Sequence, residues 1–151
     1  MKRFNTLKNR RLRREAFTLI EMMVVVMIIG MLAALVGVNV MERFERAKRK
    51  AAAAQIYNFM TALDSFRLDN NRYPNTEQGL EALVSGTQDA KHFPKEGYLR
   101  TIPLDPWDNE YVYFSPGLNG EPYSVESYGV DGIDGGEEEN ADIESWRLDE
   151  E

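Results

Sequence analysis

Cysteine is absent from this 151-residue chain. That excludes disulfide staples and thiol catalysis, so a small exported domain must be held together by its core or by a metal. Histidine is nearly absent: His92 is the only one. With no cysteine and no acid pair beside it, it reads as a surface residue rather than a catalyst or ligand. No Ser/His/Asp constellation, His-rich metal site or phosphate-cradling glycine loop occurs, which argues against an enzyme. Bases are scarce where acids are dense. Residues 17–151 hold 11 bases against 24 acids, and from Glu121 onward Arg147 is the one base among twelve acids. A phosphate backbone rewards the opposite sign, so no nucleic-acid partner is expected.

The bases are concentrated at the head. Residues 1–16 carry seven bases against Glu15, a balance of +6. From Met22 to Val38 seventeen residues carry no charge, and Asn39, Val40 and Met41 extend the run to twenty. As a helix, such a run spans a hydrocarbon core of ~30 Å. Bases before it keep the N-terminus in the cytoplasm and send the chain after residue 41 across the membrane. The run is too long for a cleaved secretory signal, and no small-residue cleavage site follows it. A simple signal anchor accounts for all of this except Glu21. A carboxylate there costs a few kcal/mol unless it reaches the headgroups or finds a partner.

The order of a basic leader, Ala16, Phe17, "TLIE" and an apolar helix resembles the class III signal of type IV pilins and type II secretion pseudopilins. The resemblance implies that a prepilin peptidase cuts between Ala16 and Phe17 and methylates the new amine. It further implies that Glu21 meets the Phe17 amine of a neighbouring copy, so that its charge is neutralised on assembly. Two positions depart from the pattern: Ala16 stands where Gly is usual, and "VGVNV" offers Gly37 but not the helix-loosening Pro common there.

Beyond the apolar run the period stays helical. After Ala51–Ala54, residues Ile56, Phe59, Met60, Leu63, Phe66 and Leu68 recur at spacings of three and four, an amphipathic core stripe. "DNN" before Tyr73-Pro74 ends it, giving one helix of ~75 Å from about Phe17 to about residue 70. Thr76 is expected to cap a short helix over "TEQGLEALVSG", closed by Gly86. "YVYFS" and "YSVES", joined by "PGLNGEP", read as a β-hairpin. In "PLDPWDN" two prolines fix φ, Asp105 and Asn109 bond to local backbone, and Trp107 buries area, which makes a turn without catalytic role.

Residues 73–146 sharpen the family. "YPNTEQGLEAL", "PLDPWDNEY" and "GVDGIDGGEEENADIESW" look like the G-type major pseudopilin of type II secretion. On composition alone the last segment is an acidic, solvated loop whose oxygens on a Gly-kinked backbone also suit calcium, though not as an EF-hand. The resemblance implies one calcium ion (Ca2+), carried over by position to the Tyr128 carbonyl, the Asp131 carboxylate, a carbonyl near Gly136, and the side chain of Glu138. Asp142 is a further ligand or a fixer of the loop end.

The expected fold is α+β and type IV pilin-like. A long N-terminal helix with a transmembrane first half packs on a small domain with a short antiparallel sheet and a calcium-binding C-terminal loop. The expected divisions are a cleaved basic leader (1–16), a transmembrane and assembly helix (17–41) and a periplasmic domain (42–151). As implied by the resemblance, the function is that of the major subunit of a type II secretion pseudopilus that drives folded proteins across the outer membrane. Its partners are further copies of itself, the prepilin peptidase, minor pseudopilins, the inner-membrane assembly platform and membrane lipid. An adhesion, motility or DNA-uptake type IV pilin is the alternative, and a membrane-tethered enzyme or binding protein a third reading.

Overall fold

A computed structural model describes residues 17–148, apart from the side chains of residues 35–39 and Glu139. The chain divides into two compact units at Val40/Met41. One helix, α1 (Leu19–Asn70), runs through that boundary.

In the first unit α1 opens on a side-chain cap: the Thr18 hydroxyl accepts the Glu21 backbone N–H at 3.2 Å. The pattern Thr-x-x-Glu is the sequence form of a capping box, and an acid in the first turn also meets the positive end of the helix dipole. The large apolar side chains from Phe17 to Leu32 are exposed, Phe17 at 77% and Leu19 at 79%. Among the described residues no helix is long and apolar enough to cross a membrane. The expected twenty-residue run includes positions 35–39, whose side chains lie outside the described set.

In the second unit α1 supplies one wall of the core. Ala52, Ile56, Phe59, Leu63 and Phe66 are fully buried at the predicted spacing. Leu68 corrects the stripe: two residues past Phe66 it points around the opposite side and is 83% exposed. Asn70 takes the next core-facing position, where its amide spans the Phe66 and His92 carbonyls and accepts the His92 N–H. The helix ends where Asn71 turns left-handed (φ 59°) and its N–H returns to the Arg67 carbonyl.

The short helix is shorter than expected. Only α2 (Ala82–Ser85) is α-helical, because Gly79 at φ 59° breaks the run from 76. Its approach is capped by Asn75, not Thr76: the Asn75 carboxamide accepts the Gln78 N–H, and Gln78 accepts the Asn75 N–H in return. Thr76 instead exchanges bonds with the Ser115 backbone, stitching this turn to the end of the hairpin. Gly86 closes α2 at φ 75°, where a Cβ would press on the Phe93 ring.

The hairpin forms as expected from β1 (Val112–Phe114) and β2 (Ser124–Ser127), with Tyr113 opposite Val125. A third strand, β3 (Ile143–Glu144), pairs antiparallel with β2, so the sheet order is β1-β2-β3. Two residues are too few to show a period in sequence. β2 is therefore central and buried at all four positions. Tyr111, Tyr113, Val125 and Ile143 meet the α1 stripe, with Phe59 edge-on to Tyr111 at 5.0 Å. Each large side chain sealed in this way contributes ~1.5–3 kcal/mol.

Candidate functional site

The site predicted at the head lies partly outside the described residues, since Ala16 is not among them. Phe17 is exposed, and Glu21 stands one turn on, its backbone held by Thr18. The signal for the Thr18 cap lies in "TLIE" itself, a Thr-x-x-Glu pattern at the head of an apolar run.

At the other end, the chain after β2 winds through residues 128–142 and returns as β3. Four glycines here adopt left-handed φ: Gly129 at 63°, Gly132 at 65°, and Gly135 and Gly136 both at 98°. Gly136 has a second reason to be glycine, because a Cβ would collide with the Asn140 carbonyl oxygen. A single 3₁₀ turn (Glu138–Asn140) precedes Asp142.

The loop is braced on two sides. Asn109 donates its amide to the Gly129 carbonyl at 2.8 Å, and Asp105 accepts the Ser127 hydroxyl at 2.6 Å. Both braces come from the "PLDPWDN" turn. Asp105 also accepts the N–H groups of Trp107 and Asn109, the local bonds expected. From α1, Arg49 donates to the Ala141 carbonyl at 2.6 Å, while Glu45 accepts the Trp107 indole N–H at 3.0 Å.

Within this frame three carboxylates converge. Oxygens of Glu126, Asp134 and Asp142 all lie within 4.8 Å of one another. Of the three only Asp142 is among the predicted ligands; Asp134 belongs to the same acidic run, and Glu126 lies on β2, before it. Its signal was its place in "YSVES", where a charged residue falls inside a strand. Asp142 accepts the Gly135 N–H with one oxygen, while its other oxygen, like Oε1 of Glu126, is buried and makes no hydrogen bond. Desolvation pushes the Glu126 carboxyl above its usual range, and Glu144, Asp134 and Asp142 add to this; the Ser124 hydroxyl pulls the other way without closing a bond. Asp142 is raised for the same leading reason, opposed by the Gly135 N–H and by Arg49. Two sealed, unsatisfied carboxylate oxygens beside a third acid fit a bound cation.

The other predicted ligands differ in where they stand. Tyr128 is half-buried, and its phenol is held up first by burial and then by Asp134, Glu126 and Asp142. Asp131 is exposed, accepts the Ile133 N–H, and raises Asp142 through its charge. Glu138 is not in the carboxylate group. It lines a cleft of about 240 Å³ with Glu42, Glu45, Arg46 and Arg49. The His92 side chain is exposed, as expected; its backbone carbonyl and N–H engage Asn70.

Comparison with known proteins agrees with this architecture. Residues 11–37 match the prokaryotic N-terminal methylation motif. The chain is 48% identical over 139 residues to the type II secretion system core protein G of Pseudomonas aeruginosa, covering 90% of this chain and 97% of that one. With the protein of the same name from Escherichia coli K12 the identity is 44%, covering 90% and 93%. The crystal structure of the major pseudopilin from the type 2 secretion system of enterohaemorrhagic E. coli superposes with a TM-score of 0.62 at 38% identity, covering 72% of this chain and 94% of that one. These relatives favour type II secretion over the adhesion and motility pilins. With its residues 39–146 matching the profile of type II secretion system (T2SS) protein G, the chain belongs to that family.

Proposed function

We propose that the chain is the major subunit of a type II secretion pseudopilus. It is cut between Ala16 and Phe17, held in the inner membrane by residues 17–41 with residues 42–151 in the periplasm, and polymerised into a filament whose growth moves folded proteins outward. The observation that carries this reading is the bare apolar surface of α1. Met22 through Leu32 are large, apolar and exposed, apart from Gly30, and Glu21 sits at their head. Water tolerates no such patch in a stable monomer, whereas lipid or the same helix of other copies covers it. Thr18 orders the first turn, so Glu21 is presented at a fixed height for the Phe17 amine of the next copy. No catalytic step is assigned to the chain; the family is a structural one.

The partners follow from that life cycle. They are the prepilin peptidase that removes the leader, the assembly platform and minor pseudopilins that start and carry the filament, and lipid around the stored subunit. Replacing Glu21 by Gln is expected to abolish filaments while leaving the protein membrane-inserted; normal filaments from this variant would refute the role. The mass of the mature N-terminus, expected to be that of methyl-Phe17, tests the cut.

The C-terminal loop holds calcium in this reading. The sealed oxygen of Asp142 supports it, with Asp134 and Asp131 supplying further carboxylates and the carbonyls of Tyr128 and Gly136 neutral oxygens. Glu138 joins only after rearrangement of the loop from the cleft it shares with Arg46 and Arg49. Calcium binding then takes the place of a disulfide as the closure of this loop, and its binding energy becomes folding energy. Stabilisation should grow with free calcium as RT ln(1 + [L]/Kd). A melting temperature indifferent to chelator would leave the loop merely acidic.

A further inference from the structure

Glu126 does not belong to the loop. It lies on the central strand β2, opposite Val112 of β1 on one side and Glu144 of β3 on the other. It is 2% exposed, in a strand whose four residues are all buried. A carboxylate removed from water at this depth needs a cation or hydrogen-bond donors, and Oε1 has no donor. The charged groups that act on it most strongly, Glu144, Asp134 and Asp142, are all acids, so its neighbours aggravate the burial.

The oxygen of Glu126 faces Asp134 and Asp142 within 4.8 Å. Two oxygens on opposite sides of one calcium ion are separated by ~4.6–5.2 Å, so the three oxygens can share an ion. Asp134 is exposed, Asp142 half-buried and Glu126 buried, a graded path from solvent to the back of the site.

We infer that Glu126 is an inner ligand of the cation that the loop takes up, so that the ion is held jointly by the central strand and by the loop. This rests on the calcium reading above. It predicts that the ion pins residues 134–142 to the sheet and not only to one another. It also predicts that Glu126 destabilises the metal-free protein and stabilises the loaded one. A residue with a merely structural role has the same sign in both states.

The test uses the full chain in detergent micelles, stripped with chelator and then titrated with calcium chloride. Calorimetry gives the affinity, and thermal melting gives the stability in each state. Glu126→Gln keeps the shape and removes the charge; Glu126→Leu suits a buried strand and keeps the test open if the amide folds poorly. The expected result is calcium affinity weakened by at least ~10-fold in both variants, the least that loss of even an outer-shell partner brings, with a melting temperature in chelator equal to or above that of the unaltered chain. Unchanged calcium affinity in either variant would overturn the assignment and leave the calcium reading standing. So would a melting temperature lowered equally with and without calcium. An unaltered chain that does not respond to calcium would overturn both.

Discussion

The carboxylate of Asp105 accepts a 2.6 Å hydrogen bond from the Ser127 hydroxyl, joining the "PLDPWDN" turn to the end of the central strand. Asp105 is 4% exposed and takes the backbone N–H groups of Trp107 and Asn109 as well. One acid therefore folds its own turn and fixes the point from which the acidic loop departs.

Asp105→Ala removes three bonds to a charged acceptor and leaves their donors unpaired inside. Charge-assisted bonds of this kind are worth ~1.5–3 kcal/mol apiece and do not add, so a loss of about 3–5 kcal/mol is expected. Denaturant unfolding of the variant measures it. A loss below ~1 kcal/mol would show that water replaces the carboxylate.

Gly135 and Gly136 share a φ of 98°, yet only Gly136 is crowded, by the Asn140 carbonyl. Gly135→Ala should bear the conformational strain alone, ~1–3 kcal/mol. Gly136→Ala should lose more, because the 3₁₀ turn before Asp142 must shift. Melting temperatures of the pair, measured side by side, separate backbone strain from collision. Equal losses would refute the collision.

Phe59 is fully buried and edge-on to Tyr111. Phe59→Ala should destabilise the protein by about 3–5 kcal/mol, the transfer energy plus a cavity between α1 and the sheet. Leu68→Ala, on the same helix but 83% exposed, should change stability by less than ~0.5 kcal/mol. If the two substitutions cost the same, the core does not lie where the stripe places it.

Alkaline pH offers an independent probe of the core. Burial pushes the Tyr98 and Tyr113 phenols from 10.0 up to about 12, and raises Tyr111 and Tyr123 as well. A phenol with a raised folded pKa leaves the fold at full stability below the unfolded value and withdraws that stability as pH climbs toward the folded one. Stability should thus be flat up to about pH 10 and fall steeply between about 10 and 12. Phenolate absorbance followed together with circular dichroism checks this; early, non-cooperative ionisation of all the tyrosines would contradict it.

Much of the fold is legible in the sequence because its signals are local. The spacing of Ile56, Phe59, Leu63 and Phe66 specifies a helix and its buried face. "YVYFS" and "YSVES" around a turn specify a hairpin, and Gly86 a stop. Legibility failed wherever a residue had two local options of similar energy. Asn75 and Thr76 are both good caps, and the docking of Thr76 on Ser115, 39 residues away, left the cap to Asn75. Strand β3 escaped for a related reason: two residues have no measurable period, and only β2 gives them a partner.

The candidate site divides in the same way. The sequence by itself determined that the chain has a basic head, an apolar helix interrupted by Glu21, no cysteine, and an acidic, glycine-rich loop near its end. Charge, hydropathy and residue type are properties of the residues, and no contact is needed to read them. Only the tertiary structure decided which acids meet. Asp142 is paired with Asp134 and with Glu126, a strand residue that precedes the loop, while Glu138 turns to the cleft against α1. Burial is what distinguishes one carboxylate from another, and burial comes into being when β2 is covered on both edges and the loop carrying Asp134 and Asp142 folds against the face opposite Val125 and α1. Until then Glu126 is one acid among many; afterwards it is the acid that the sheet and the loop have removed from water.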